Sequence, residues 1–178
     1  MVPPGYRAVF LGQAAAIGFA QAGADVALAD ILSTDETARQ VRALGRQACQ
    51  IPVNLLERAS VQRVVDTTIK HLGGIDILLN NAGIMPHSPL ERRKVEDWEH
   101  TIDVNLKGTL YGISAALPHM MAQKSGHIIN VASSFAFLCP PGMAPYNISK
   151  AAVVALSETL HGDLKPRGVS VTVVCPGP

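Results

Sequence analysis

Six short apolar runs alternate with longer amphipathic stretches along the 178 residues of this chain, and no other feature constrains its fold as strongly. Apolar runs separated by helical patterns predict parallel strands that are joined by crossover helices. Helices cover both faces of such a sheet, which is why its strands carry few polar residues. The pattern therefore predicts an α/β fold with a parallel sheet between two layers of helices.

The bounds of the predicted elements follow from this alternation. Strands are predicted at residues 6–11, 25–30, 47–53, 75–80, 127–132 and 169–175. Helices are predicted from a capping box at residues 33–36 to near Gly45, from about residue 57 to residue 72, over residues 94–123 and over residues 145–165. We expect an interruption or bend of the third of these helices near Pro118, because proline removes a helix donor.

Size and composition exclude several classes of protein. At 178 residues the chain is predicted to form one domain, residues 1–178. A net charge of +1 without a basic stripe disfavours nucleic-acid binding. We expect no membrane anchor, because no apolar run approaches ~20 residues and the start lacks a signal-peptide layout. The odd, widely spaced cysteines Cys49, Cys139 and Cys175 predict free thiols and a cytoplasmic location, and the histidines show no metal-ligand spacing.

Tyr146, Lys150 and Ser133 carry the clearest chemical information. Tyr146 and Lys150 are four apart in a predicted helix and so share one face, and Ser133 precedes Tyr146 by thirteen residues. A free phenol, with a pKa of about 10, is a poor base at neutral pH. A cation ~4 Å away stabilises a phenolate by about 4 kcal/mol at an effective dielectric of ~20. The trio suits proton exchange with an alcohol or ketone, although a core-edge tyrosine beside a solvated lysine is the alternative.

Five motifs occur around this pair in a fixed order. They are Leu-Gly-Gln-Ala-Ala-Ala-Ile-Gly at residues 11–18, Asn-Asn-Ala-Gly at 80–83, Val-Asn-Leu-Lys-Gly at 104–108, Ile-Ile-Asn-Val-Ala-Ser-Ser at 128–134 and Cys-Pro-Gly at 175–177. Together with Tyr146 and Lys150 they resemble the short-chain dehydrogenase/reductase family from about residue 6 to residue 178. No single motif is decisive, but five in the family's order argue against coincidence.

The resemblance implies both a fold and a reaction. The fold is a doubly wound Rossmann-type sheet with strand order 3-2-1-4-5-6. The reaction is hydride transfer between a nicotinamide cofactor and a secondary alcohol or ketone. Tyr146 is then the general acid/base, Lys150 assists it and holds the nicotinamide ribose, and Ser133 positions the substrate oxygen. Asn105 would hold a water that links Lys150 to solvent, or is an ordinary helix residue; Ser134 is the rival of Ser133, but the thirteen-residue interval matches Ser133.

The cofactor is predicted from residues at the ends of the strands. Gly12 and Gly18, which we place at the turn and in the first turn of the next helix, would let backbone amides approach a pyrophosphate. Asp30 would accept hydrogen bonds from the adenosine ribose and repel a 2′-phosphate, which favours NAD over NADP; a turn cap is the alternative. The implied cofactor-binding set is Gly12, Ala16, Ile17, Gly18, Asp30, Asn54, Asn81, Ala82, Gly83, Tyr146, Lys150, Pro176 and Gly177. Ala16 replaces a family glycine, so we expect its Cβ to crowd the phosphate.

Two departures from the family pattern leave a second function open. Gly18 and Gly23 are separated by only residues 19–22, so the helix between the first two strands lacks roughly seven residues, or ~10 Å, of the family's length. We expect this helix to cross the sheet only partly. The sequence ends at Pro178, before the family's seventh strand, so strand six should be an exposed edge that favours self-association. The alternative to an enzyme is therefore a non-catalytic remnant that acts by association.

The resemblance also implies partners. We expect a small alcohol or carbonyl substrate, and a homo-oligomer formed through the helices at residues 94–123 and 145–165. An apolar loop at residues 135–140 follows the serine motif and suggests a hydrophobic substrate.

Overall fold

A computed structural model of the chain describes residues 7–10, 12–87 and 94–177. The strands are β1 (Arg7–Phe10), β2 (Asp25–Asp30), β3 (Ala48–Pro52), β4 (Ile77–Asn80), β5 (Gly126–Val131) and β6 (Val169–Val174). The helices are α1 (Gln13–Gln21), α2 (Asp35–Ala43), α3 (Arg58–Leu72), α4 (Val95–Ile102), α5 (Gly108–Gln123), α6 (Phe135–Leu138) and α7 (Ala144–Leu164). A π-helical turn at Asp103–Lys107 joins α4 to α5, and a 3-10 turn at Lys165–Arg167 follows α7.

The six strands form one parallel sheet in the order β3-β2-β1-β4-β5-β6. This order confirms the predicted doubly wound arrangement. The direction of winding reverses between β1 and β4, and in such sheets a crevice opens beyond the carboxyl ends of the strands at the reversal. The fold therefore predicts a binding site among the loops that follow β1, β2, β4 and β5.

Alternate residues of β2 enter two different cores, which explains why its interior is apolar. Val26 and Leu28 pack with Ala16 under α1 and α2. Ala27 and Ala29 point to the opposite face and pack in the cluster that α3 and α5 contribute to. Because both faces of the strand are buried, a polar side chain on either face would need a hydrogen-bond partner inside the protein.

Two local expectations were wrong. The long helix is interrupted at Asp103–Lys107, whereas Pro118 lies inside α5. The capping box does not form, because the Glu36 carboxylate accepts hydrogen bonds from Arg39 and Gln40 instead of reaching back to Ser33. The nine-residue α1 is about 13 Å long, and β1 and β2 pair over four residues on either side of this connection. That the helix crosses the sheet only partly stays a prediction.

The remaining element predictions agree with the structure within two residues wherever their ends are described; residues 6 and 11, the predicted ends of the first strand, lie outside the described part. All three cysteines are unpaired thiols, as predicted. Among the described residues, no helix combines the length and apolar character that a membrane span requires. Within the described sheet β6 pairs only with β5, and its outer edge carries no partner strand.

Candidate active site

Two adjoining clefts lie at the carboxyl ends of the strands. The first, here called the tyrosine cleft, has a volume of about 390 Å³ and is lined by Tyr146 and Lys150 among others. The second, the aspartate cleft, has a volume of about 550 Å³ and is lined by Asp30. Asn81 and Gly83 line both clefts, so the two volumes meet along the loop that follows β4.

Most of the predicted site residues line one of these clefts. Those that do are Gly12, Asp30, Asn54, Asn81, Ala82, Gly83, Ser133, Tyr146, Lys150, Pro176 and Gly177. Asn105, Ala16, Ile17 and Gly18 line neither cleft. The binding and catalytic roles of all these residues stay predictions.

Tyr146 and Lys150 share one face of α7, as their spacing predicts. The Lys150 Nζ lies 5.8 Å from the centre of the Tyr146 ring and donates a hydrogen bond of 2.8 Å to the Val131 carbonyl. Only 4% of Lys150 is exposed, and this burial lowers the pKa of its ammonium group. Among the described residues no carboxylate forms an ion pair with Lys150. A buried cation with no paired anion is therefore available to stabilise negative charge in the tyrosine cleft.

Ser133 lies just beyond the end of β5, and its hydroxyl donates no hydrogen bond to the part of the chain that the structure describes. Its Oγ accepts a hydrogen bond of 3.2 Å from the Phe135 amide, and the residue lines the same cleft as Tyr146. The hydroxyl of Ser134 is buried without a hydrogen-bond partner among the described residues and does not line that cleft. This difference supports Ser133, and not Ser134, as the serine that would contact a substrate oxygen.

The Asn105 side chain in the π-helical turn forms hydrogen bonds to the loop after β4 and to α7. Its Nδ2 donates to the Ile84 carbonyl and to the Ser149 Oγ, and its Oδ1 accepts from the Ile84 amide. Ser149 in turn donates to the Tyr146 carbonyl. The side chain therefore ties the loop after β4 to the helix of the tyrosine–lysine pair, and both of its N–H groups are already used. A water held by this side chain would have to donate to Oδ1.

Gly83 lies where a side chain would crowd Asn105 and Lys150. A Cβ on Gly83 would come within 3.2 Å of both the Asn105 Oδ1 and the Lys150 Nζ. Because Gly83 has no side chain, space remains where the two clefts meet. A glycine at this point is therefore explained by close approach to Lys150 rather than by a turn alone.

The aspartate cleft carries one carboxylate and no described lysine or arginine. The Asp30 Oδ1 accepts a hydrogen bond of 3.0 Å from the Leu32 amide, so the turn-cap alternative is also realised. This bond fixes the carboxylate and leaves its second oxygen for a ligand. The amide of Asn54 is occupied locally, since it donates to Glu57 and accepts from the Leu56 amide.

The turn after β1 differs from expectation in its details. Gly12 has φ +132°, and a Cβ there would come within 3.2 Å of the Asn81 Nδ2, so this position requires glycine. Because α1 begins at Gln13, Gly18 lies in its second turn and not in the first. Ala16 is fully buried in the core, so its methyl group does not crowd a phosphate as we expected. Ile17 lies half-buried in the same helix.

The first amides of α1 have no side-chain cap among the described residues and can bind an anion. The first turn of this helix contains no acidic residue. Uncapped amides at a helix start attract phosphate groups. With a free carboxylate oxygen at Asp30 and the narrow glycine passage at Gly83, these features fit a nicotinamide dinucleotide that extends through both clefts.

Some cleft residues were not predicted from the sequence. Met85 is one of them and forms an apolar wall of the tyrosine cleft together with Phe135, which belongs to the apolar loop predicted at residues 135–140. The Phe135 ring packs edge-on to Tyr146 with centroids 6.2 Å apart. Ile31 and His100 line the aspartate cleft. Met85 and Ile31 follow motif residues closely in sequence, but nothing in the sequence indicates that His100 faces this cleft. No group of metal-ligating side chains occurs among the residues that the structure describes.

Comparison with known proteins identifies relatives over nearly the whole chain. The family model described as short chain dehydrogenase matches residues 10–178. An uncharacterized oxidoreductase of Staphylococcus saprophyticus is 45% identical over 119 residues, which are 66% of this chain and 48% of that protein. The 3-oxoacyl-(acyl-carrier-protein) reductase FabG of Thermotoga maritima is 35% identical over 169 residues, or 94% of this chain and 69% of the relative.

A solved structure agrees with these sequence matches. A short chain dehydrogenase/reductase from Burkholderia phymatum in complex with NAD is 32% identical and superposes with a TM-score of 0.91, covering 98% of this chain and 66% of that one. The chain therefore matches about half to seven tenths of the length of these relatives. On its sequence, its sheet order and these matches, the chain belongs to the short chain dehydrogenase family of oxidoreductases.

Proposed function

We propose that this chain transfers a hydride between a nicotinamide cofactor and a secondary alcohol or ketone, with Tyr146 as the proton donor and acceptor. One observation carries the proposal: Ser133, Tyr146 and the buried Lys150 meet in a cleft that joins the cleft of Asp30. A nicotinamide ring, when bound, supplies or accepts the hydride. The chain's own residues then need only bind the two reactants and move one proton.

The proton step follows from the arrangement of the three side chains. In ketone reduction the Tyr146 hydroxyl donates its proton to the carbonyl oxygen as that oxygen gains negative charge, and in alcohol oxidation the proton returns to the phenolate. Lys150 stabilises the phenolate electrostatically, and little water screens it because it is almost fully buried. The hydroxyl of Ser133 would donate to the same substrate oxygen and hold it in place.

Asp30 should set a preference for NAD over NADP, since a 2′-phosphate would meet a carboxylate and no described lysine or arginine lines this cleft. We expect kcat/KM to be at least about tenfold higher with NADH than with NADPH, because the ribose hydrogen bond and the charge repulsion act in the same direction. Asp30→Ala should reduce that ratio about tenfold. The exposed Asp66 on α3 provides a matched control, and Asp66→Ala should leave the ratio unchanged. A wild-type preference for NADPH would contradict the proposal for Asp30.

The described wall of the tyrosine cleft supports a substrate with an apolar substituent. Met85 and Phe135 line this wall, and the side chains of Phe137 and Leu138 are 66% and 69% exposed on the adjacent helix α6. Burial of one methylene contributes about 0.8 kcal/mol, or about fourfold in binding. We expect kcat/KM for 2-alkanones to rise several-fold per methylene from 2-butanone to 2-hexanone. Higher kcat/KM for polyols than for alkanols in the oxidative direction would contradict an apolar substrate.

A non-catalytic remnant is the alternative, and cofactor binding distinguishes it from an enzyme. Fluorescence titration of NADH should give a micromolar dissociation constant if the clefts hold the dinucleotide, whereas a remnant should show no saturable binding.

We also propose a homo-oligomer formed through α4, α5 and α7. Leu110 on α5 and Ile148 on α7 are 39% and 50% exposed and would be covered in such a contact.

A further inference from the structure

Three polar side chains, the half-buried Asn80 and the buried Asn130 and Ser157, form a directional chain of hydrogen bonds from β4 through β5 to α7. The Asn80 Nδ2 donates to the Asn130 Oδ1 at 2.8 Å, and the Asn130 Nδ2 donates to the Ser157 Oγ at 2.9 Å. Ser157 then donates to the Val153 carbonyl at 2.6 Å. Asn130 is fully buried and Ser157 is 2% exposed. This set, here called the amide chain, lines neither of the two clefts.

Two members of the amide chain, Asn130 in its middle and Ser157 at its end, lie close to groups that the proposed reaction uses. Asn130 immediately precedes Val131, whose carbonyl accepts the hydrogen bond from Lys150. Ser157 lies on α7, two turns beyond Lys150, and bonds to Val153 between them. The chain therefore connects β5 to α7 close to the point where the lysine reaches across the same gap.

The polar character of these residues needs a reason beyond filling the core. Apolar side chains occupy the neighbouring inward positions Ile128 and Val153, and a buried amide is costly unless all its groups find partners. An amide that both accepts and donates a hydrogen bond, as Asn130 does, fixes distance and orientation more narrowly than apolar packing, because hydrogen bonds are directional. The amide chain is thus suited to holding α7 at one separation from β5.

We propose that Asn130 and Ser157 are positioning residues that hold α7 against β5 and so place the Lys150 ammonium between the Val131 carbonyl and Tyr146. The inference rests on the proposed function of the tyrosine–lysine pair. Val131 supplies the hydrogen-bond acceptor that the structure shows for Lys150, so the ammonium moves if the helix shifts relative to the strand. Displacements of about 1 Å from a reactive geometry can cost up to two orders of magnitude in rate.

The test compares Ser157→Ala with Thr159→Ala. Thr159 lies on the same helix and also bonds back to its own helix, at the Ala155 carbonyl, but it is exposed and does not contact the sheet. Ser157→Ala should lower kcat for alcohol oxidation about tenfold, with the KM for NAD changed less than about twofold. Thr159→Ala should leave both constants unchanged. In a Lys150→Met background Ser157→Ala should have no further effect on kcat, because the two changes act through one group.

A pH profile separates positioning from a general loss of stability. Tyr146 and Lys150 are the titratable side chains among the described residues of the tyrosine cleft, so the profile reports on this pair. A displaced ammonium stabilises the phenolate less, and the midpoint of the acidic limb for alcohol oxidation should move to higher pH in Ser157→Ala. An unchanged midpoint, or an additive kcat loss in the Lys150→Met background, would overturn the inference. If Ser157→Ala does not fold, Ser157→Cys keeps the volume with a weaker hydrogen bond and should show the same shift, smaller in size.

A measurement without turnover keeps this inference distinct from the proposed function. The NMR signal of the Lys150 ammonium, assigned by its loss in Lys150→Met, should shift in Ser157→Ala and stay unchanged in Thr159→Ala. If the wild-type chain transfers no hydride and the NMR shift occurs, the proposed function fails while the positioning role stands. If the wild-type chain is active and the signal does not move, the positioning role is refuted alone.

Discussion

Tyr146→Phe should lower kcat for ketone reduction by about 10²–10⁴-fold, which is the range that positioned acid–base groups contribute. The substitution removes one oxygen and keeps the ring, so the edge-on contact with Phe135 and the helical position of Lys150 are retained. The dissociation constant of NADH should change less than about threefold, because the larger part of the dinucleotide would lie in the aspartate cleft. Single-turnover oxidation of NADH with a 2-alkanone measures the chemical step, and fluorescence titration measures binding.

A second tyrosine provides the control for this prediction. Tyr111 on α5 packs against the core and does not line either cleft, so Tyr111→Phe should leave kcat within about twofold of the wild-type value. Loss of NADH binding in Tyr146→Phe would show that the hydroxyl acts in cofactor affinity instead of proton transfer. Full activity in Tyr146→Phe would remove the central residue of the proposed mechanism.

The sequence predicts the strands well because both faces of a central strand are buried, so that its residues are apolar on either face. In β2 the residues Val26 and Leu28 enter one core and Ala27 and Ala29 enter the other, so an uninterrupted apolar run is what this position requires. The order of the strands could not be read from the runs themselves and came from resemblance. The same holds for the catalytic roles, since a Tyr–Lys pair alone is compatible with an ordinary helix.

The interruption of the long helix could not be predicted because its cause is distant in sequence. The π-helical turn contains Asn105, whose side chain bonds to the Ile84 backbone and to Ser149. No local breaker marks Asp103–Lys107, whereas Pro118 is a local breaker that the helix accommodates. The rule that proline interrupts a helix thus predicted the wrong position. The observed interruption coincides with Asn105, whose side chain makes these tertiary hydrogen bonds.

The two bonded amides were overlooked for a related reason. Asn80 stands at the end of an apolar run, where a polar residue is also what a strand end or a turn would carry, whereas Asn130 lies inside the run at residues 128–132. Only the pairing register, which places Asn80 beside Asn130, shows that they bond to each other and onward to Ser157. A polar residue in an otherwise apolar strand is the one signal in the sequence that could have drawn attention to them.

Lys150→Met should lower kcat by about 10²–10³-fold, as removal of one preorganised electrostatic group does, and should at the same time raise the free energy of unfolding at neutral pH. Lys150 is 4% exposed and has no carboxylate partner among the described residues, so folding removes its charge from water without an ionic partner. Methionine has a similar length and no charge to desolvate. Its cost is the hydrogen bond to the Val131 carbonyl, which faces the tyrosine cleft and can be hydrated instead.

The pH dependence of this gain has a defined sign. Burial lowers the pKa of Lys150 below its ordinary value of about 10.4, so between the folded and unfolded pKa values the unfolded chain binds more protons. Wild-type stability therefore rises with pH in that window, and the advantage of Lys150→Met should shrink as the pH approaches about 10.4. Urea unfolding at several pH values between neutral and alkaline, with the exposed Lys70→Met as control, measures the difference. A variant less stable than the wild type at neutral pH would mean that the Val131 hydrogen bond outweighs the burial of the charge.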